Sequence, residues 1–349
     1  MPHRLATDLD HVLRHTAGLW NELRGQRIFI TGGTGFFGCW LLETFADAVD
    51  KLDLGATAVV LTRDAEAFRR KAPHLAAHHA VELHVGDVRS FPFPLGAFSH
   101  IVHAATTSSA PQPPRLLLDT IVQGTAHALD FAVHCGAKKF LFCSSGAVYG
   151  KQPAGITHVS EEFLGAPDPL DSRSAYGEGK RAAELLCSVY AGEFGIEAKI
   201  ARCFAFVGPH LPVDAHFAIG NFIRDGLAGG PIRISGDGTP FRSYLYAADL
   251  AVWLWSILCS GTSCRAYNVG SNVETTIAAL ATTVAHVFGP GMKVSLARQP
   301  SPEQLPERYV PCTRRALEDL GLRPLIDLEE AIRRTIAWHR ERSTTDHGG

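Results

Sequence analysis

Two hydrophobic periods alternate along the first two hundred residues. Short apolar runs, bounded by Gly, Asp or Ser, occur at Arg27–Thr31 (RIFIT), Thr57–Thr62 (TAVVLT), Val81–Val85 (VELHV), His100–His103 (HIVH), Lys139–Cys143 (KFLFC) and Ala198–Cys203. Each predicts a strand of a buried parallel sheet. Helical spacing fills the gaps: residues 5 to 24 (Leu5, Leu9, Val12, Leu13, Leu19, Trp20, Leu23), Phe36 to Phe45, Ala65–Lys71, Leu116–Cys135 and Ala175–Phe194. Residues 106–114 (Thr, Ser, Pro and Gln) and 151–172 (Pro, Gly and Asp) read as loops. Strands alternating with helices predict right-handed crossovers and a doubly wound parallel α/β sheet over 26–208, with about 243–270 returning to it. Residues 1–25 form an N-terminal helical extension, packed on the outside of the sheet or on a second subunit. From Pro209 the pattern breaks into proline and glycine pieces around shorter helices. Residues 209–242 and 271–340 therefore read as a smaller, partly interleaved C-terminal lobe, and 341–349 as a disordered tail.

The first strand runs into Gly32, Gly35 and Gly38, spaced Gly-x-x-Gly-x-x-Gly, and then into an apolar helix beginning Phe36-Phe37. Strand, glycine turn and helix is the context of a dinucleotide-binding (Rossmann) fingerprint. One glycine permits the tight turn, one lets backbone N–H groups approach a pyrophosphate, and one lets the helix pack closely on the strand. The helix N-terminus then turns its positive end toward the phosphates. Beyond the second strand stand Thr62-Arg63-Asp64. An acid there suits the ribose hydroxyls of NAD and an arginine a 2′-phosphate, so Arg63 tilts the choice toward NADP over NAD.

A second constellation follows the fifth strand. Tyr176 and Lys180 are four residues apart and share one helix face. Ser145 lies just past the carboxyl end of a strand, where open α/β sheets bind ligands. An ammonium beside a phenol favours the phenolate and lowers its pKa toward working pH. Such a tyrosine exchanges a proton with a hydroxyl or carbonyl while hydride moves to or from a nicotinamide, and the serine holds the same oxygen.

Composition narrows the partners. The chain has 349 residues, is 46% hydrophobic and 19% charged, and carries a net charge of −2. Nothing in that balance calls for nucleic acid or an anionic membrane. No apolar run approaches the roughly 18 residues of a bilayer span. His3, Arg4, Asp8 and Asp10 leave no apolar signal-peptide core. The eight cysteines are scattered with no Cys-x-x-Cys pair, as expected of buried thiols in a reducing cytoplasm. His74 and His78 have helical metal-ligand spacing, but no acidic or cysteine neighbour in the sequence, so no metal site is expected.

Taken in order, Gly32-x-x-Gly35-x-x-Gly38, Gly86-Asp87, His103-Ala104-Ala105, Ser144-Ser145-Gly-Ala-Val-Tyr149-Gly150 and Tyr176-x-x-x-Lys180 form an ordered set. It continues with Arg202 to Pro209 (RCFAFVGP), Gly236-Asp237-Gly238-Thr239-Pro-Phe-Arg242 and Asn268-Val-Gly270. Over roughly residues 26 to 330 the set resembles the extended short-chain dehydrogenases/reductases, specifically the nucleotide-sugar epimerase/dehydratase group. The resemblance implies Ser145, Tyr176 and Lys180 as the catalytic set. It implies a cofactor site of Gly32, Gly35, Phe36, Phe37, Gly38, Arg63, Asp87 with Val88, Ala104, Ala105, Tyr176 and Lys180. Within it, Asp87 would meet the adenine region and Lys180 the nicotinamide ribose. Thr106, Ser145, Gly146, Asn221, Arg242 and Arg308 would face the substrate, the two arginines meeting a sugar-nucleotide diphosphate, a role that suits a planar guanidinium. A homodimer is expected through helices 116–135 and 175–194, which carry apolar residues around much of their circumference.

Four positions depart from that pattern. Ala205 and Ile121 stand where the family often has asparagine. Gly146-Ala147 stands where the thymidine-sugar 4,6-dehydratases place an Asp-Glu pair. Lacking that acid and base, the chain is expected to work on a nucleotide-linked hexose by 4-epimerisation through a keto intermediate. A 4-ketoreductase, or a dehydratase with another acid, is the alternative. A non-catalytic dinucleotide-binding redox sensor is the competing class, and the intact Ser145, Tyr176 and Lys180 argue against it, since a sensor has no use for a proton relay.

Overall fold

A computed structural model describes residues 4–106, 112–215, 217–301 and 305–346. Strands β1 (Arg27–Thr31), β2 (Thr57–Thr62), β3 (Val81–Val85), β4 (His100–His103), β5 (Lys139–Ser145) and β6 (Glu197–Cys203) form on the apolar runs. β5 outlasts its apolar run by two residues, because its ladder with β6 continues to the Ser145–Cys203 pair. A further strand, Ala266–Val269, pairs with β6 in the stretch expected to return to the sheet. The seven strands are parallel, in the order Ala266–Val269, β6, β5, β4, β1, β2, β3. The chain winds outward from β1 through β2 to β3, then crosses to β4 and winds the other way. The switch point lies between β1 and β4, where open sheets of this kind bind ligands.

The helices are α1 (Ala6–His15), α2 (Phe36–Leu52), α3 (Ala65–Lys71), α4 (Pro73–Ala76), α5 (Pro114–Cys135), α6 (Ala175–Phe194), α7 (Ala218–Leu227), α8 (Ala247–Ser260), α9 (Ile277–Phe288), α10 (Arg314–Leu320) and α11 (Leu328–Asp346). Alternate residues of β1 feed two cores, as a pleated strand buried on both faces must. Ile28 and Ile30 join α1, α2, α8 and much of the C-terminal lobe in one. Phe29 joins α5 and α6 in the other, with its ring 4.8 Å from that of Phe131. α8 is buried from Ala247 to Cys259, and its apolar residues run all round, as a covered helix requires.

α1 helps cover α8, packing on it and on α2. Asp8 accepts from the Tyr246 hydroxyl at 2.6 Å and from Arg334 of α11 at 2.5 Å, and His11 Nε2 lies 2.9 Å from the buried Asp249. α11 runs to Asp346, so the segment read as a disordered tail is helical over most of its length. α5 starts two residues before its apolar pattern, with proline in the first turn, where a missing N–H costs no hydrogen bond. Part of the predicted 106–114 loop, residues 107–111, lies outside the described residues. The lobe carries three short strands, Thr275–Thr276, Phe241–Arg242 and Arg308–Tyr309, side by side in that order.

Candidate active site

The glycine turn sits at the switch point, and its three glycines have separate jobs. Gly32 has φ +70°, and a Cβ there would lie 2.6 Å from the Ala104 carbonyl, so the ends of β1 and β4 touch backbone to backbone. A Cβ on Gly38 would lie 2.2 Å from Gly33 Cα, so only glycine lets α2 approach the turn. Gly35 caps α2 and is exposed; a Cβ there would meet only Gly32 O, at 3.3 Å. The exposed side of the turn therefore carries the first N–H groups of α2, an arrangement that suits an anion. Lys71 Nζ donates to Thr34 O at 2.6 Å and braces the turn. Phe37 turns inward, 5.1 Å from the Phe206 ring.

Behind Ala104 and Ala105 stands a buried brace. His103 lies 2.8 Å from the Thr31 hydroxyl and 3.1 Å from that of Thr125, and Thr31 accepts the Ala105 N–H at 3.2 Å. Burial pushes His103 down to about 3, so it stays neutral. Beyond the end of β3, Asp87 is clasped by Arg89, whose Nε and Nη2 each donate at 2.9 Å and whose Nη1 reaches Asp119 at 3.1 Å. Those bonds hold the Asp87 carboxyl down at about 2, with Arg63 adding to the effect. Arg63 is exposed. Asp64 caps α3 by accepting the Ala67 N–H at 2.8 Å. Val88 is buried, 2.8 Å from where a Cβ on Gly124 would stand.

Ser145, Tyr176 and Lys180 come together at the carboxyl end of β5. Ser145 Oγ accepts the Ala147 N–H at 3.1 Å. Gly177 lets the first turn of α6 lie on that segment, since a Cβ there would strike Ala147 O at 2.7 Å. One turn beyond Lys180, Glu184 accepts from Ser144 Oγ at 2.5 Å and from Arg202 Nη2 at 2.7 Å, which pins α6 to β5 and β6. Lys180 is buried; its Nζ donates to Cys143 O at 2.7 Å and lies 5.9 Å from the Tyr176 ring centroid. Desolvation lowers Lys180 to about 8. The expected fall in the Tyr176 pKa is not what this site gives. Desolvation pushes the phenol up to about 12, and only a hydrogen bond from Ser145 pulls it down, because the ammonium faces a carbonyl instead of the phenol oxygen.

Among the described residues the Thr106 hydroxyl, buried beside Ala105, has no hydrogen-bond partner. Gly146 faces two aromatic residues: a Cβ there would lie 2.7 Å from the Phe204 ring and 2.8 Å from Tyr309 Oη. No acid fits at position 146 without displacing them. Arg242 and Arg308 lie on neighbouring strands, but each is engaged within the lobe. Arg242 lies 3.7 Å from Glu307, and Arg308 pairs with Glu274 and stacks 4.0 Å over the Phe241 ring. Asn221 lies on α7, and among the described residues no hydrogen bond links it to Ser145, Tyr176 or Lys180.

Sequence reasoning overlooked Tyr309, which enters the site from a two-residue strand and leaves no local signal. It also overlooked Arg89, whose signal was its place two residues after Asp87. Contrary to the sequence expectation, His74 and His78 do have acidic neighbours in space: His74 meets Glu43 at 2.8 Å and His78 meets Asp50 at 3.2 Å. Both acids come from α2, distant in sequence. Their two sites are separate; Asp50, His78 and His79 hold ligand atoms within 4.8 Å of one another at the surface. Among the described residues no helix is long and apolar enough to cross a membrane.

The fold and its glycine turn define an enzyme of the extended short-chain dehydrogenase/reductase class. Residues 28–270 match the profile of the NAD dependent epimerase/dehydratase family, and the chain belongs to that family. UDP-glucuronic acid decarboxylase 1 of Xenopus tropicalis is 31% identical over 325 residues, 92% of this chain and 74% of that protein. The fold is shared with UDP-N-acetylglucosamine 4-epimerase from Methanobrevibacter ruminantium M1 (TM-score 0.78, 21% identity, 91% of this chain and 99% of that one). It is shared too with UDP-glucuronic acid 4-epimerase from Bacillus cereus, solved with UDP-glucuronic acid and NAD (TM-score 0.75, 21% identity, 90% and 99%).

Proposed function

We propose that this enzyme acts on a hexose carried by a nucleoside diphosphate, oxidising C4 and reducing it again from the other face, a 4-epimerisation. The observation that carries the reading is Ser145, Tyr176 and Lys180 gathered at the carboxyl end of β5, which β4 separates from β1 and the glycine turn, with Gly146 and Ala147 supplying no further acid or base. A bound nicotinamide dinucleotide supplies the hydride acceptor and donor. The chain's own part is to orient and to move a proton. The open turn and the α2 N-terminus suit a pyrophosphate, and the orphaned Thr106 hydroxyl suits a polar ligand group. Tyr176 takes the C4 hydroxyl proton as the keto sugar forms and returns it afterwards, and Ser145 holds the same oxygen. Arg242 and Arg308 exchange their glutamate partners for the diphosphate.

Decarboxylation is the second reading, favoured by the 31% identity to a UDP-glucuronic acid decarboxylase. A 4-keto uronate is a β-keto acid and loses carbon dioxide without the acid pair that 4,6-dehydration uses. If the cofactor is consumed, the enzyme is instead a ketoreductase. Incubation with a panel of UDP- and dTDP-hexoses, their 4-keto forms and UDP-glucuronic acid, with and without added NAD, NADP or their reduced forms, separates the three, net oxidation of reduced cofactor on a 4-keto sugar marking the ketoreductase. An epimer of unchanged mass without net cofactor turnover supports the first reading, and loss of carbon dioxide the second.

Two further parts of the reading carry their own tests. Asp64 is occupied at the α3 cap, whereas Arg63 is exposed beside Asp87, which favours a 2′-phosphate there. Arg63→Ala should lower NADP affinity more than NAD affinity, by roughly the tenfold that one surface phosphate contact gives. Equal losses in calorimetric titration make Arg63 a surface residue only. The outer faces of α5 and α6 leave Leu118, Val133, Leu185, Val189 and Phe194 exposed. A second copy covering them would form a homodimer, and sedimentation at micromolar concentration should find twice the chain mass; monomer alone contradicts it. The free cysteines suit a reducing cytoplasm.

A further inference from the structure

The turn between α4 and β3 brings two imidazoles to one carboxylate. His78 Nε2 lies 3.2 Å from one oxygen of Asp50, and His79 Nε2 lies 3.9 Å from the other. The two rings are 4.5 Å apart and tilted by 30°. One nitrogen from each histidine and one oxygen of Asp50 all fall within 4.8 Å of one another. Asp50 stands in the last turn of α2, and Asp53 follows at its cap. Among the described residues the ion-pair partners of Asp50 are these two histidines alone. The neighbouring Lys51 is taken by Asp10 and Asp47.

We propose that Asp50, His78 and His79 form a binding site for a divalent transition-metal ion of the zinc class. Two imidazoles and a carboxylate are a donor set that such an ion takes, and three protein ligands leave one corner of a tetrahedron for water. Ligand atoms about 2.0–2.1 Å from zinc at tetrahedral angles stand roughly 3.3 Å apart. The 3.2 Å pair already meets that spacing, and the 3.9 Å pair must close up a little. The His79 side chain is 71% exposed and that of Asp50 55%, so both are free to turn. The negative end of the α2 dipole adds to the attraction for a cation. Asp50 and His79 also line an open cavity of about 350 Å³, shared with Asp53, which gives water access to the fourth corner.

Binding has one local cost. His78 Nδ1 accepts the Ala80 N–H at 3.2 Å, so without metal its Nε2 carries the ring proton and donates to Asp50. The ion takes that place at Nε2, the ring proton moves to Nδ1, and the loose bond to Ala80 is given up. Thr57 and Ala80, at the amino ends of β2 and β3, border the same cavity. Ser145 closes the carboxyl end of β5, at the opposite side of this parallel sheet. A metal here therefore clamps the end of α2 to the turn before β3 and takes no part in hydride or proton transfer. The inference is independent of the reaction assigned above.

The full chain, stripped with chelator, is titrated at neutral pH with cobalt(II) as a coloured stand-in for zinc. A visible d–d band should appear without a thiolate-to-cobalt charge-transfer band, and zinc should displace it. Zinc should also raise the thermal transition, since it binds the folded chain. Asp50→Asn and His79→Ala change exposed side chains, so folding is preserved, and circular dichroism checks it. Each should weaken cobalt binding by on the order of 100-fold, no less than the loss of an outer-shell partner. His74→Ala should leave binding untouched, because His74 pairs with Glu43 at a separate place. No band up to millimolar cobalt overturns the proposal. So does a band that survives both Asp50→Asn and His79→Ala, or a charge-transfer band that puts the ion on a cysteine. A loss of binding in His74→Ala alone overturns it as well, because the ion would then sit at Glu43.

Discussion

Tyr176→Phe should lower turnover by roughly 10²–10⁴-fold, the usual worth of a positioned general acid/base. The substitution keeps the ring against the α5–α6 core and removes only the transferable proton. Fold and cofactor affinity should therefore survive, and stopped assays with saturating cofactor read the chemical step. The pH profile carries the finer information. With the phenol at about 12 before cofactor binds, rate should climb with pH as the base forms, and Tyr176→Phe should lose that limb. In Lys180→Ala the limb should hold its place, because the Lys180 ammonium faces the Cys143 carbonyl and not the phenol oxygen. The substitution should weaken cofactor binding if Lys180 holds the nicotinamide ribose. With its own pKa lowered to about 8, the lysine has given up its charge well before the phenol titrates. Ser145→Ala should be milder than Tyr176→Phe, since it removes a hydrogen bond and leaves the proton donor in place. Near-native turnover with an unshifted profile in Tyr176→Phe means that the phenol is not the acid/base.

Gly35→Val should abolish dinucleotide binding while leaving the fold intact. The backbone at Gly35 has an ordinary φ of −81°, and a Cβ there meets nothing but Gly32 O at 3.3 Å. The Cβ contact is tight and needs the turn to give by a few tenths of an ångström, and the side chain stands at the α2 N-terminus, where a pyrophosphate would dock. Isothermal titration with NAD and with NADP should show both affinities falling on the order of 10²-fold or more, that is at least two steps of about 1.4 kcal/mol. The thermal transition without cofactor should barely move. Gly38→Val makes the contrast: its side chain has no space, so it should lower stability itself. Unchanged affinity in Gly35→Val would remove the glycine turn as the anchor of the site.

What the sequence disclosed was local. The glycine turn is one continuous stretch, and Tyr176 with Lys180 is one turn of helix, so spacing alone reported both. Ser145 was legible because strand ends are marked by composition. What stayed hidden depends on contacts between distant segments. Tyr309 reaches Ser145 across 164 residues through a strand of two, too short to carry a period. Glu43 and Asp50 meet His74 and His78 only because α2 packs beside α4 and the turn after it. The Tyr176 pKa ran opposite to the four-residue spacing because burial of the phenol outweighs an ammonium turned toward Cys143. The glutamates paired with Arg242 and Arg308 were likewise invisible, being set by how short strands lie in the lobe.

The larger of the two cores has a thermodynamic corollary. It runs without a break from Leu5 at the start of α1, through Ile28 of β1 and Trp40 of α2, to Ile332 and Ile336 in α11. The lobe and the sheet thus share one apolar interior and have no separate melting transitions to offer. A dinucleotide that touches only the cleft must then stabilise the far C-terminal helix as much as β1. By mass action, ligand at a hundred times its dissociation constant adds about 2.7 kcal/mol to the whole cooperative unit. Amide exchange of α11 becomes a remote reporter of occupancy at Gly35.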